Sequence, residues 1–551
     1  MALLALLTAF VAVVALWPLT RLLGQALLTE GAVAQAFGST GARRAIRHSL
    51  ETATASALGA VLLGGLFAIL VALTDLKAKR LLVFLFMLPT MIPPQVTALA
   101  WIQLTGPSSP VLTFVGLAPP QGTPNPIYGR EGIILLMSIQ HAPLAFLVLR
   151  AGLRHLPRET VEAARISGAG AGRIARQIVL PLIAPSLVAA TGLAFVSALG
   201  NFGIPAMLGL PARYQTIPTL IFQRLSSFGP DMLPTVAALS LSILLIAGAA
   251  LMGQAVAARR LSFGQVSRPA AALALPLGRW RGMAQAAVWL VLMAILLMPL
   301  SALIAASLVP AYGVPLTLST FTLEAYVEVL MRQGATTRAF VNSTILAGSA
   351  AVMLALLAIP LAWLAVWRRR RMAHALVNLA ELPYALPGIV LSIATILVFL
   401  RPLPVLGVSI YATLWIILIA YLARFFALAL GPVTAAFRQA DPALEEAARV
   451  SGAGPIRRIL TIVAPLMTPA AAAGAILVFL TAFNELTVSA LLWSGGTETV
   501  GVVIFNLEDG GSTALASAMA TVTVAVVLTL MLLLQTLSPR LPRGVVPWAG
   551  N

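Results

Sequence analysis

Apolar residues run through this chain in stretches of about twenty, the length a helix needs to cross a bilayer, separated by short basic, proline-rich or glycine-rich breaks. That pattern predicts twelve spans, at roughly 2–20, 52–74, 81–104, 132–153, 182–203, 233–257, 284–309, 341–366, 376–400, 409–434, 466–490 and 513–537. The first stretch could be a cleaved signal segment. It lacks a basic start and a small-x-small cleavage site, and losing it would spoil the even count, so a retained helix is expected. Two spans contain matched proline clusters: Pro89, Pro93 and Pro94 in the third, Pro383 and Pro387 in the ninth. A proline in a membrane helix can do no more than kink it. Matched breaks in both halves also suit bendable, pore-lining helices.

Composition agrees with an apolar solvent. Of 551 residues, 60% are hydrophobic and 9% charged, with a mean hydropathy of +0.98, values that a hydrated surface does not permit. The class expected is all-α: a polytopic membrane protein of about twelve helices in two homologous six-helix halves, with lipid around it. The net charge of +18 does not imply nucleic acid, because the Arg residues sit in short loops between spans. Lys77, Lys79 and Arg80, then Arg368–Arg371, then Arg259, Arg260, Arg268, Arg279 and Arg281 all fall on one side of a twelve-span topology, together with both termini. By the positive-inside rule that side is the cytoplasm. Arg43, Arg44 and Arg47 fall on the other side and break the rule mildly. Cys is absent, which excludes disulfides and thiolate metal sites, and the four His are scattered without metal-ligand spacing.

The halves repeat in parallel. Leu88-Pro89 with Pro93-Pro94 returns as Leu382-Pro383 with Pro387-Gly388, 294 residues on, and a polar segment returns after 284. The expected domains are residues 1–258 and 284–551, joined by a cytoplasmic linker at 259–283. The polar segment is the most informative part of the sequence. Residues 162–170 read Glu-Ala-Ala-Arg-Ile-Ser-Gly-Ala-Gly and residues 446–454 read Glu-Ala-Ala-Arg-Val-Ser-Gly-Ala-Gly, with Pro181 and Pro465 each nineteen positions after the Glu. Each copy predicts a short helix, a glycine stop and a second short helix. Asp441-Pro442 and Pro157 suit the helix starts, and Gly168 and Gly452 suit left-handed stops. Two near-identical docking elements imply a partner with two-fold symmetry.

These residues resemble the EAA loop of binding-protein-dependent ABC importer permeases, over essentially the whole chain. The resemblance implies that Glu162, Ala163, Ala164, Gly168 and Pro181, with Glu446, Ala447, Ala448, Gly452 and Pro465, form two coupling helices seated on two copies of an ABC ATPase subunit. It also implies a periplasmic solute-binding protein, and residence in the bacterial inner membrane. Glu381-Leu382-Pro383-Tyr384-Ala385-Leu386-Pro387-Gly388 and Asn201-Phe202-Gly203-Ile204-Pro205-Ala206 resemble the fused ferric-iron branch, which also includes thiamine and phosphonate systems. The chain has no Gly-x-x-x-x-Gly-Lys-Ser/Thr, so ATP and Mg would be bound by the partner and this subunit would not be the enzyme.

Inside the spans, Asn201 matches Glu485, with Thr481 and Asn484 nearby. Ionisable groups at membrane depth usually face a pathway or a partner, so Asn201, Thr481, Asn484 and Glu485, with Pro89, Pro93, Pro383 and Pro387, are the translocation-path candidates. A position at the water interface is the plain alternative for Glu485. Arg424 is expected to snorkel, and His141 to act in helix packing. Two other classes also suit parts of the pattern. An ion-coupled secondary transporter would need carboxylates buried in mid-span, and a membrane-embedded enzyme would need a clustered polar constellation; neither stands out.

Overall fold

The computed structural model describes residues 2–29, 31–154, 156, 158–225, 232–261, 277–402, 407–537 and 539. Among them the regular structure is helical. Ten helices are long and apolar enough to span a bilayer, and two bent helix pairs bring the number to twelve. The helices extend beyond the apolar runs. The second span is Thr40–Leu73, about 50 Å long at 1.5 Å per residue, against roughly 30 Å of hydrocarbon. Arg43, Arg44 and Arg47 therefore ride on turns that need not enter lipid, which removes most of the topological penalty their charge suggested. Pro157 and most of the 259–283 linker, Arg268 included, lie outside the described residues.

The chain packs as two compact units, one made of residues 1–42, 220–242 and 306–551, the other of 43–219 and 243–305. Each unit thus contains the bulk of one repeat together with the leading helix of the other. In the first unit Phe10 meets Phe426 edge-on at 5.6 Å, and Trp17 meets Phe399 at 5.8 Å. In the second, the Leu277 N–H donates to Asp75 Oδ1 at 3.0 Å, Arg281 lies 3.5 Å from the same carboxylate, and the Lys77 N–H donates to Gln285 Oε1 at 3.0 Å. The Leu277 N–H is the main reason the Asp75 carboxyl is held below its ordinary range. A repeat records where the sequence was duplicated, whereas packing follows complementary surfaces, and here the leading helices are exchanged.

The two bent spans are sharper than kinks. Lys79–Met91 and Pro94–Phe114 meet at 101°, and Arg371–Tyr384 and Gly388–Phe399 at 108°. A residue before proline is pushed into extended backbone; Ile92 has ψ 134° and Leu386 ψ 143°. Pro93 and Pro387 therefore make the breaks, while Pro89 and Pro383 lie inside the preceding helices. The helices after the breaks, Pro94–Thr105 and Gly388–Phe399, are buried over most of their length.

Candidate functional sites: two polar loops and two broken spans

The two copies of the polar segment fold alike. Their first helices are Arg158–Ile166 and Ala443–Val450. In the second copy Asp441 Oδ1 accepts the Ala443 N–H at 2.9 Å, as its position before the helix suggested. Gly168 has φ +78° and Gly452 φ +79°. The Gly168 and Ala169 N–H groups return to the Arg165 and Ala164 carbonyls, both at 2.9 Å, and those of Gly452 and Ala453 to Arg449 and Ala448 at 3.1 and 3.0 Å. The Ser167 and Ser451 hydroxyls close the same turns on Ala163 and Ala447. A Cβ at either glycine would meet nothing within 4 Å, so the backbone twist alone requires glycine as far as this chain is concerned. Pro181 and Pro465 follow π-helical turns at Ala175–Val179 and Ile459–Val463. The wider turns stand where a proline removes an N–H from the helical ladder.

Glu162, Ala164 and Ala448 are half-buried; Ala163, Glu446 and Ala447 are exposed. Ile166 and Val450, matched positions just before Ser-Gly, are 89% and 85% exposed. The two loops thus share an open apolar side chain at the same position. The sequence reading passed over this pair, although both copies place an apolar residue inside an otherwise polar stretch. It also passed over Glu445, which is 2% exposed. Arg368 Nη2 lies 2.6 Å and Arg458 Nη1 2.9 Å from its Oε1. The corresponding residues of the first copy, Thr74, Val161 and Ile174, are buried and uncharged.

The broken spans leave carbonyls without their helical N–H, and in hydrocarbon such a group needs a partner. In the first half Gln140 Nε2 donates to the Ile92 carbonyl at 3.1 Å. In the second, Arg424 Nη1 donates to the Leu386 carbonyl at 3.1 Å, and Arg424 Nε lies 3.5 Å from Glu485 Oε1. Arg424 is therefore not snorkelling: it turns inward to a broken helix and a carboxylate. Glu485 is buried, its Oε1 accepting the Val488 N–H at 3.0 Å. Asn201 does the same in the first half, Oδ1 accepting the Ile204 N–H at 3.2 Å. Both side chains thus accept a backbone N–H at the start of the segment that follows. Asn484 is buried and donates to the Leu480 carbonyl at 3.4 Å, whereas Thr481 is exposed and bonded to the Leu477 carbonyl of its own helix. His141 Nδ1 lies 2.7 Å from the Met137 carbonyl, also within its own helix.

The capping segments press closely on the breaks. A Cβ on Gly203 would lie 3.0 Å from the Gln95 nitrogen and 3.2 Å from Pro94 Cβ; a Cβ on Gly388 would lie 2.9 Å from Thr487 Cγ2. Gly203 matches Thr487 and Pro94 matches Gly388. Each half therefore puts its glycine on the opposite partner of the same contact. Among the described residues no group of three His, Cys, Asp or Glu is placed to hold a metal ion.

The family described as binding-protein-dependent transport system inner membrane component matches residues 60–262 and 355–545. A probable ABC transporter permease of Sinorhizobium fredii, y4fN, is 26% identical over 490 residues, covering 86% of this chain and 83% of that protein. The Fe(3+)-transport system permease protein FbpB 2 of Haemophilus influenzae is 25% identical over 467 residues, 84% of each chain. A chain from the crystal structure of a bacterial ABC transporter that imports alginate aligns with a TM-score of 0.37 at 20% identity, over 47% of this chain and 96% of its own. With both matched regions together covering well over half its length, the chain belongs to the inner-membrane permease components of binding-protein-dependent ABC importers, and it carries the family's domain twice.

Proposed function

We propose that this chain supplies both membrane halves of an ATP-driven importer, taking a solute from a periplasmic binding protein and releasing it into the cytoplasm. Two ATPase subunits, which bind ATP and Mg, sit beneath Arg158–Ile166 and Ala443–Val450 and drive the cycle. The observation that carries this reading is the pair of identical helix stops at Gly168 and Gly452, each beside an apolar residue left open to a partner. The broken spans beside Asn201 and Glu485 form the path, because irregular backbone at membrane depth survives where it is buried or lines a cavity. Both termini lie on the cytoplasmic face, following the basic loops.

The solute is ferric iron. Support comes from the ferric permease of H. influenzae, matched over 84% of both chains; iron would reach this subunit on the binding protein, as cargo. Polyamine, thiamine and phosphonate are the alternatives within the same machinery. Proteoliposomes holding the chain and its ATPase, supplied with iron-loaded binding protein, should take up iron only with ATP. Uptake driven by an ion gradient without ATP would overturn the importer reading in favour of a secondary transporter. A binding protein that captures thiamine or polyamine and ignores ferric iron would overturn the substrate alone.

A further inference from the structure

The outer connections of the two halves are unequal. With both termini cytoplasmic, eleven residues, 29–39, join the first two spans outside the membrane, and twenty-six, 308–333, join the matched seventh and eighth. The longer connection is held by its own hydrogen bonds. The Thr322 N–H returns to the Leu308 carbonyl at 2.9 Å and closes the loop on the end of its span. Thr320 Oγ1 donates to the Pro315 carbonyl at 2.6 Å and accepts the Thr317 N–H at 2.8 Å. The Ser307 and Tyr326 hydroxyls lie 2.6 Å apart. The tip so fixed presents Leu318 fully exposed, with Tyr312, Phe321 and Leu323 more than half exposed. Beside it a cavity of about 730 Å³ opens against the start of the last span at Ser512 and Thr513. Glu324 and Glu328 line it, and among the described residues no Lys or Arg does. Arg332 pairs with both carboxylates. One guanidinium against two carboxylates leaves the cluster acidic, in a chain whose net charge is +18.

Symmetry narrows the partner. Two like docking elements serve a partner with two-fold symmetry, whereas an element built into one half alone serves a partner that is itself asymmetric. In the importer reading, the partner assigned to the outer face is the binding protein. An anionic bilayer surface fits poorly, because its phosphates would meet Glu324 and Glu328. Apolar side chains held open around a pocket suit the anchors of a protein interface, and the carboxylates select a cation for its centre. We propose that residues 308–333 seat the binding protein, with Leu318 and Phe321 against its apolar surface and Glu324 and Glu328 receiving a Lys or Arg. This rests on the importer reading, and adds which half holds the binding protein and by what chemistry.

The chain contains no Cys, so a single thiol at Leu318→Cys can carry a probe. In nanodiscs holding the chain and its ATPase, a benzophenone there should crosslink to added iron-loaded binding protein. The Kd of that protein for the complex should rise about tenfold in Leu318→Glu. Glu324→Lys with Glu328→Lys should raise it comparably, and that loss should shrink as salt is added, because screening weakens the new repulsion. A Kd within about twofold of the parent in both variants sinks the proposal. Crosslinking to lipid, or to a second copy of the chain, in place of the binding protein also sinks it and gives the tip to the bilayer or to a self-interface. Should the charge-reversed variant fail to fold, Leu318→Glu and the crosslink decide. If the parent complex itself captures no binding protein, the importer reading falls, and this proposal with it.

Discussion

The two halves meet identical backbone demands with different chemistry. At the breaks, a freed carbonyl needs a donor and a helix start needs an acceptor. The first half answers with the amides Gln140 and Asn201, the second with Arg424 and Glu485. In the polar loops, the first copy buries Val161 and Ile174 where the second buries Glu445 between two arginines. Geometry fixes that something polar or something large must stand at each place, but not whether it is charged. The difference lies in how the residues depend on one another. An amide or a valine can be lost alone, whereas a buried charge leaves its partner stranded.

That dependence can be broken most severely at Glu445. Removing one member of a buried pair typically costs about 3–5 kcal/mol, so Glu445→Ala should lower the thermal midpoint of the purified permease strongly. Val161→Ala removes only methyl groups and should cost about 1–2 kcal/mol. Equal losses at the two positions would erase the contrast. The broken spans come next. Glu485→Ala leaves the Arg424 guanidinium uncompensated at membrane depth, about 2.5–3.5 kcal/mol on insertion scales; Asn201→Ala, by losing a neutral bond, should cost about 0.6–1.7 kcal/mol. The double change Arg424→Gln with Glu485→Asn copies the first half and should recover most of the loss in a double-mutant cycle. Transport should stay impaired in Glu485→Ala even where the complex assembles. Wild-type uptake by that variant would remove Glu485 from the path.

A third test uses the reciprocal glycines. Gly388→Ala places a Cβ 2.9 Å from Thr487 Cγ2, an overpacking worth about 1–3 kcal/mol. Adding Thr487→Gly should restore part of the stability, because the first half already pairs Gly203 with Pro94, while the Arg424 Nη1 that the new Cβ meets at 3.0 Å stays and must shift. If the second change rescues nothing, the contact is not shared by the halves.

Much of this was legible in the sequence for a physical reason. Twelve spans follow from apolar length, and the breaks at Pro93 and Pro387 from what proline does to the residue before it. Gly168 and Gly452 were readable because only glycine adopts φ near +78° cheaply. Glu445 and Arg424 were not, because a charge near the end of an apolar run looks the same whether it faces water or a buried partner 77 positions away, as Arg368 is from Glu445. Comparing the halves residue by residue gives the missing signal: where one copy has Val161 and the other Glu445, at least one site is specialised. The exchange of leading helices had no such signal, since their apolar faces name no particular partner.

The smallest effect belongs where the halves do not differ, and it tests whether the contrast is real. Gly168→Ala and Gly452→Ala force an L-residue into left-handed backbone at about 1–2 kcal/mol, and neither Cβ meets an atom of this chain. The two costs should therefore match within a few tenths of a kcal/mol, measured as thermal midpoints of the permease alone. Any larger gap would mean that the loops differ in their backbone, and the asymmetry assigned to Glu445 would lose its separate cause. A bulky residue at either position should go further and abolish co-purification of the ATPase, while the spans still fold. Retention of the ATPase by both Gly168→Trp and Gly452→Trp would show that these stops shape the chain without touching a partner.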